Sequence, residues 1–154
     1  MKQRINAYEK GKGALHALYG LSAYLSKSPV EKSLLDLIYY RVSQINGCAY
    51  CLDMHSKDLR AAGETEQRLY VLDAWRETAL YSERERAALA WAEAVTKITN
   101  GHVSDAVYEE AARQFSEQEL IDLTLAATTI NTYNRINIAF AIQGGSYKVG
   151  QHSG

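Results

Sequence analysis

Both cysteines of this 154-residue chain sit three positions apart, at Cys48 and Cys51, and His55 follows four positions after the second. A helix drawn from about Gly47 to Ala62 turns roughly 100° per residue and puts Cys48, Cys51, Leu52, His55, Leu59 and Ala62 on one stripe. Asp53, Ser56, Lys57 and Arg60 fall on the opposite side. Two thiols and an imidazole therefore face inward, with each neighbouring pair at helix-contact spacing. Thiols so placed can close to a disulfide with little backbone movement. An imidazole one turn from a thiol can take its proton and leave the nucleophilic thiolate. The helix N-terminus favours a thiolate at Cys48, whereas the histidine spacing favours Cys51. Three plainer uses compete: small buried core residues, a zinc site shared with His55, or a hydrogen-bonded core histidine. Zinc normally asks for a fourth ligand, and His16, His102 and His152 are scattered without a fitting pair.

The rest of the composition is that of an ordinary globular chain, 47% apolar and 23% charged, long enough for one core. A formal net charge of -1 gives no electrostatic ground for binding nucleic acid or an anionic membrane surface. No apolar run approaches the length of a membrane span, and Met1 to Asn6 leads into no secretory leader. The expectation is a cytoplasmic protein, where a lone C-x-x-C reads as a redox pair rather than a structural staple.

One proline and no sustained alternation predict an all-α chain. The first helix is expected over 8–25, weakened by Gly11, Gly13 and Gly20, with Leu15, Leu18, Leu21 and Leu25 inward and His16 solvated. Ser28-Pro29-Val30-Glu31 reads as a capping box opening a helix to about Ile45, with Leu34, Leu35, Ile38 and Val42 on its apolar face. Asp36 lies opposite that face and is solvated on periodicity alone, unless a second surface covers it. Asn46-Gly47 turns the chain into the cysteine helix. Thr65 caps a helix to about Trp75, and Ser82 to Glu85 is a second box, opening a helix to about Ile98. Asn100-Gly101 is a turn, and Ser104 caps a short helix to about Phe115. Ser116 to Glu119 is a third box, starting the longest helix, to about Ile142. Asn131, Asn134, Arg135 and Asn137 interrupt that apolar helix and read as an exposed edge or, preferably, a subunit interface. Tyr50, Lys57, Arg60 and Arg68 fall on polar faces, Trp75 and Trp91 read as packing residues, and the tail from Gly144 reads as loose. With no linker or low-complexity stretch, residues 1–154 form a single domain.

Residues 36–76 resemble the alkylhydroperoxidase D group (AhpD-like) of the carboxymuconolactone decarboxylase-like superfamily. The resemblance is carried by Ser43-Gln44-Ile45-Asn46-Gly47-Cys48-Ala49-Tyr50-Cys51, Asp53-Met54-His55, Ala61-Ala62-Gly63-Glu64 and Ala74-Trp75-Arg76-Glu77. Thr129 to Arg135 is similar to the final helix of these proteins, so most of the chain is covered, with the core motif at 28–77. The resemblance implies an AhpD-like helical bundle that assembles as a homo-oligomer, trimers or hexamers built from them. It implies a peroxide-reducing dithiol in which Cys51 attacks, Cys48 resolves and His55 relays the proton. The family's distant base, a glutamate twelve positions before the first cysteine, is here Asp36, one methylene shorter, which weakens the relay or routes it through a water. The histidine some members carry before the second cysteine is here Tyr50. No bound cofactor is implied. The implied partners are a peroxide substrate, an external dithiol reductant such as a lipoyl-bearing protein, and a peroxiredoxin client. Two other functions are weighed against an antioxidant peroxidase or disulfide reductase. One is a lyase on a small lactone acid, as in the sister branch, which lacks the cysteine pair. The other is a non-catalytic oligomer that senses redox state.

Overall fold

Local chemistry at the helix ends sets most of the architecture in this computed structural model, which describes residues 2–98 and 101–151. In chain order the helices are α1 (Ala7–Lys10), α2 (Lys12–Leu25), α3 (Lys32–Asn46), α4 (Ala49–Ala61) and α5 (Glu66–Tyr70). A 3-10 turn (Leu72–Glu77), α6 (Glu83–Thr96), α7 (Asp105–Gln114) and α8 (Glu117–Ala139) follow. Among the described residues every regular element is a helix, as the sequence predicts. Ser82 with Glu85 and Ser116 with Glu119 form complete capping boxes, and the Thr65 hydroxyl accepts the Arg68 N–H.

Four boundaries differ from expectation. The first helix breaks at Gly11 into α1 and α2. The box at Ser28 does not form: its hydroxyl donates to Asp122, Glu31 pairs with Arg84, and α3 begins only at Lys32. The helix expected to reach Trp75 stops at Tyr70 and continues as the 3-10 turn. The last helix ends at Ala139 rather than Ile142. Of the turn expected at Asn100-Gly101, Asn100 lies outside the described residues, as does His152; Gly101 has the left-handed φ of 105° a turn uses.

The core is a three-helix contact. Leu34, Leu35, Ile38 and Val42 of α3 pack against Ala87, Ala88, Trp91 and Ala92 of α6 and Leu123, Ala127 and Ile130 of α8. A second cluster joins Leu37, Leu72, Trp75, Tyr81 and Leu89. Both tryptophans are thus packing residues, and α4 lies across the other side of α3. Beside the second cluster a buried charge network ties three elements. Glu93 accepts from Arg41 Nε at 2.8 Å, from Trp75 Nε1 at 2.9 Å and from Arg76 at 2.6 Å, while Arg41 also pairs with Asp73. Burial alone would raise the Glu93 carboxyl, but these donors outweigh it and hold it below its usual range.

Two chain ends return over α4 and α8. Arg4 donates its backbone N–H to the Phe140 carbonyl and its guanidinium to the Ala139 carbonyl. Helix α8 closes on Ala141, a non-glycine residue at φ 54°, which lets the Ile142 N–H reach the Asn137 carbonyl at 2.9 Å. The tail expected to be loose instead straps across α4. There Tyr147 is buried, its N–H donates to Asp53, its hydroxyl to Asp58, and its carbonyl accepts from Lys57. Gly144 passes so close that an added Cβ would lie 2.6 Å from the Ala49 carbonyl oxygen.

Two stability outcomes follow from these contacts. Glu93→Ala strands buried Arg41 without its main counter-ion and should cost about 3 kcal/mol in urea unfolding. Ala141→Gly removes the left-handed penalty and should gain about 0.5–1 kcal/mol in the same assay.

Candidate functional site

The corner between α3 and α4 places the sulfurs. Gly47 takes φ 68°, its N–H bonds the Gln44 carbonyl, and the Cys48 N–H bonds the Ser43 carbonyl, which together make a Schellman ending for α3. Cys48 thereby becomes the N-cap of α4 rather than a residue inside it, and its sulfur accepts the Cys51 N–H at 3.4 Å. Cys48 and Cys51 are joined as a disulfide with Cα atoms 5.4 Å apart, both 1% exposed. Tyr50, Met54 and Ile142 pack around them. Tyr50, expected on the polar side, is buried there because the ring of Tyr8 covers it at 6.4 Å between centroids.

The asparagines of α8 explain why this corner holds its shape. Asn46 Nδ2 donates to Asn131 Oδ1 at 2.8 Å and Asn134 Oδ1 at 2.9 Å. Asn134 Nδ2 donates to Ser43 Oγ at 3.0 Å, and Asn131 Nδ2 to Thr96 Oγ1 at 3.0 Å. Asn137 Nδ2 donates to Cys51 Sγ at 3.2 Å, and Asn137 Oδ1 accepts from the Tyr8 hydroxyl at 3.0 Å. All three amides are buried and find their partners inside the chain, so neither the exposed edge nor the subunit interface is needed to satisfy them.

His55 and Asp36 belong to an adjoining cavity of about 420 Å3, lined by Lys32, Asp36, Tyr39, His55, Asp58, Ala61 and Ala62 and crossed by Val149 and Gly150 of the strap. Helix α4 is the second surface that covers Asp36, leaving its side chain 15% exposed and ion-paired to Lys32. Burial raises the Asp36 carboxyl against the lowering effect of Lys32. The His55 ring lies 5.5 Å from the Tyr39 ring, and its buried Nε2 has no hydrogen-bond partner among the described residues. Burial, with Lys32 adding to it, pushes His55 down to about 4. Its imidazole is therefore neutral near pH 7, with one nitrogen free to accept a proton.

The four residues singled out from the sequence thus fall into two pairs: a bonded disulfide, and a histidine and carboxylate that line one cavity with no hydrogen bond from Nε2 to the carboxylate. His55 stands on α4 one turn after Cys51, between the two. Sequence reasoning missed three contributors. Asn137 gave a signal, as an amide on an apolar helix, but its partner was not readable. Tyr8 and Tyr147 gave none, because both reach the site through chain ends distant in sequence. Among the described residues no cluster of His, Cys, Asp or Glu is placed to hold a metal ion, and no helix is long and apolar enough to cross a membrane.

The His55 shift has a signed consequence. Its folded pKa lies below the unfolded value of 6.5, so the unfolded chain binds the extra proton between about pH 6.5 and pH 4 and stability falls as pH drops through that window. His55→Gln should flatten the fall in Tm over this range, and proton NMR of the wild-type ring should show no titration above pH 5.

Known proteins place this geometry in a family. The carboxymuconolactone decarboxylase family model matches residues 13–94. The chain is 40% identical to the uncharacterized protein YdfG of Bacillus subtilis over 146 residues, which is 95% of this chain and 99% of that one. It is similar to the crystal structure of ATU0492 from Agrobacterium tumefaciens, a protein of unknown function suggested to be an antioxidant defence protein AhpD. That match has TM-score 0.90 and 40% identity, covering 95% of this chain and 100% of the other. Over 81 residues it is 38% identical to the alkyl hydroperoxide reductase AhpD of Mycobacteroides abscessus, spanning 49% of this chain but only 45% of that enzyme.

Proposed function

The chain belongs to the carboxymuconolactone decarboxylase family, and from that premise we propose that it is an AhpD-like, dithiol-dependent peroxidase whose redox pair is Cys48 and Cys51. The observation that carries the reading is the Cys48–Cys51 disulfide, set at the first turn of α4 with His55 one turn further along. A pair that bonds in place, with no other cysteine in the chain, suits a two-electron cycle. The lyase alternative has no use for the sulfur pair.

In the proposed cycle, His55 takes the proton of the reduced Cys51 thiol. The burial that keeps the ring neutral also makes a lasting imidazolium costly, so the proton is passed across the cavity to Asp36, whose carboxyl is itself raised. Because His55 Nε2 and Asp36 are not bonded, that transfer runs through a water, as the shorter aspartate leads one to expect. The Cys51 thiolate attacks the peroxide oxygen, the O–O bond breaks, and the alcohol leaves with a proton. Cys51 is then a sulfenic acid, which Cys48 attacks to form the S–S bond with loss of water. An external dithiol, with a lipoyl group as the fitting class, returns two electrons and two protons by exchange. A peroxiredoxin disulfide is the alternative oxidant for the same pair. Leu21 and Tyr24 are exposed on one side of α2 and Tyr19 on another, apolar surface that suits assembly into a trimer or hexamer. This overturns the expected inward placement of Leu21.

Peroxide consumption with a dihydrolipoyl reductant tests the roles. Cys51→Ser should lose turnover by at least about a hundredfold. Cys48→Ser should consume a single equivalent of peroxide and stop, with a mass gain of one oxygen on Cys51. Full turnover in Cys51→Ser would remove the assignment of the attacking sulfur.

A further inference from the structure

Cys51 Sγ receives a side-chain hydrogen bond from a residue that neither the motif nor the relay includes. Asn137 comes from α8, is 3% exposed, and donates Nδ2–H to that sulfur at 3.2 Å. A disulfide sulfur or a thiolate has no proton to give, so only the amide nitrogen can face it. The amide oxygen is then left on the other side, where the Tyr8 hydroxyl donates to it at 3.0 Å. Tyr8 is brought there by α1, whose approach is fixed by the bonds from Arg4 to the Ala139 and Phe140 carbonyls. The chain of donors therefore runs in one direction, from Tyr8 to Asn137 to Cys51.

We propose that Asn137 is a catalytic residue of the redox pair: its Nδ2–H holds the negative charge that develops on Cys51 Sγ, and Tyr8 is the positioning residue that fixes the amide's orientation. The physical reason is differential strength. A neutral disulfide sulfur is a weak acceptor, whereas a thiolate accepts a charge-assisted bond about twice as strong as a neutral one. The same donor therefore acts little on the oxidised state and much on the reduced one. It acts in both halves of the cycle. When a thiolate of an external dithiol attacks Cys48 Sγ, the S–S electron pair leaves on Cys51 Sγ, against the amide. The second thiolate of that dithiol then displaces the Cys48 thiolate, and the reductant departs as a disulfide. In the peroxide half, the amide stabilises the attacking Cys51 thiolate. Cys48 has a separate donor, the Cys51 backbone N–H at 3.4 Å, so each sulfur has its own support.

The inference rests on the redox reading, but it is tested without peroxide. In a Cys48→Ser background, where serine keeps a good N-cap, the pH dependence of Cys51 alkylation by iodoacetamide reports its thiolate alone. Asn137→Ala should raise the apparent pKa of Cys51 by about one unit and slow alkylation at neutral pH about tenfold. Tyr8→Phe, which leaves the apolar packing on Tyr50 in place, should move it in the same direction by less. A residue that only fills space would change Tm and leave the pH profile where it was. An unchanged profile in folded Asn137→Ala overturns the proposal; if that variant does not fold, an unchanged profile in Tyr8→Phe overturns it. A protein that shows these shifts yet consumes no peroxide would lose the peroxidase reading and keep this one.

Discussion

A line of buried amides along one side of α8 is the constraint on which the site depends. Asn131, Asn134 and Asn137 sit three residues apart, each within the apolar contact between α8 and the rest of the bundle. An amide buried without partners costs more than a hydrogen bond gains, so the surrounding structure must supply one for each. It does so from the last turn of α3, through Ser43 and Asn46, and from the first turn of α4, through Cys51. The corner that carries the sulfurs is thereby registered to α8 by polar contacts whose geometry is directional, where apolar packing alone would allow sliding. Gly47 supplies the turn and the amides fix where it sits.

The molecule handles its buried ionisable groups in two opposite ways. Glu93 is held below its usual range because Trp75, Arg76 and Arg41 all donate to its carboxylate. Near the sulfurs, burial works against charge instead. His55 is held neutral by burial, Asp36 is raised, and the Tyr8 hydroxyl is pushed up to about 12, chiefly by desolvation, so it stays a donor. The first arrangement serves rigidity. The second keeps protons close to their transfer points, which is what acid–base work beside a thiol requires.

Much of this is legible in the sequence. Ser82 and Ser116 announce their helices because both halves of a capping box lie within four residues and need nothing from the rest of the chain. The failure at Ser28 has the complementary cause: an identical local signal lost to a long-range one, the carboxylate of Asp122 on α8 and Arg84 on α6. Periodicity puts the thiols and His55 on one stripe, whereas the structure makes Cys48 the N-cap of α4 and sets His55 in the cavity beside the disulfide; periodicity also misjudges Asp36 and Tyr50, since a helix wheel knows one neighbour and these residues have two. Arg68, read as solvated, is held by Glu64 and Glu85 for the same reason. The contributions of Tyr8 and Tyr147 were out of reach, because no spacing rule links residue 8 to residue 137 or residue 147 to residue 58.

The strap has one further implication, and it comes from the absence of a side chain. Gly144 clears the carbonyl of Ala49 only because it has no Cβ, and Ala49 is the residue directly after the first cysteine. A methyl group at position 144 would press on rigid backbone, and the yielding partner would be the opening turn of the thiol helix or the anchor at Tyr147. A residue ninety-three positions beyond Cys51, and outside the motif by any reading, thus limits the room left beside the opening turn of the thiol helix.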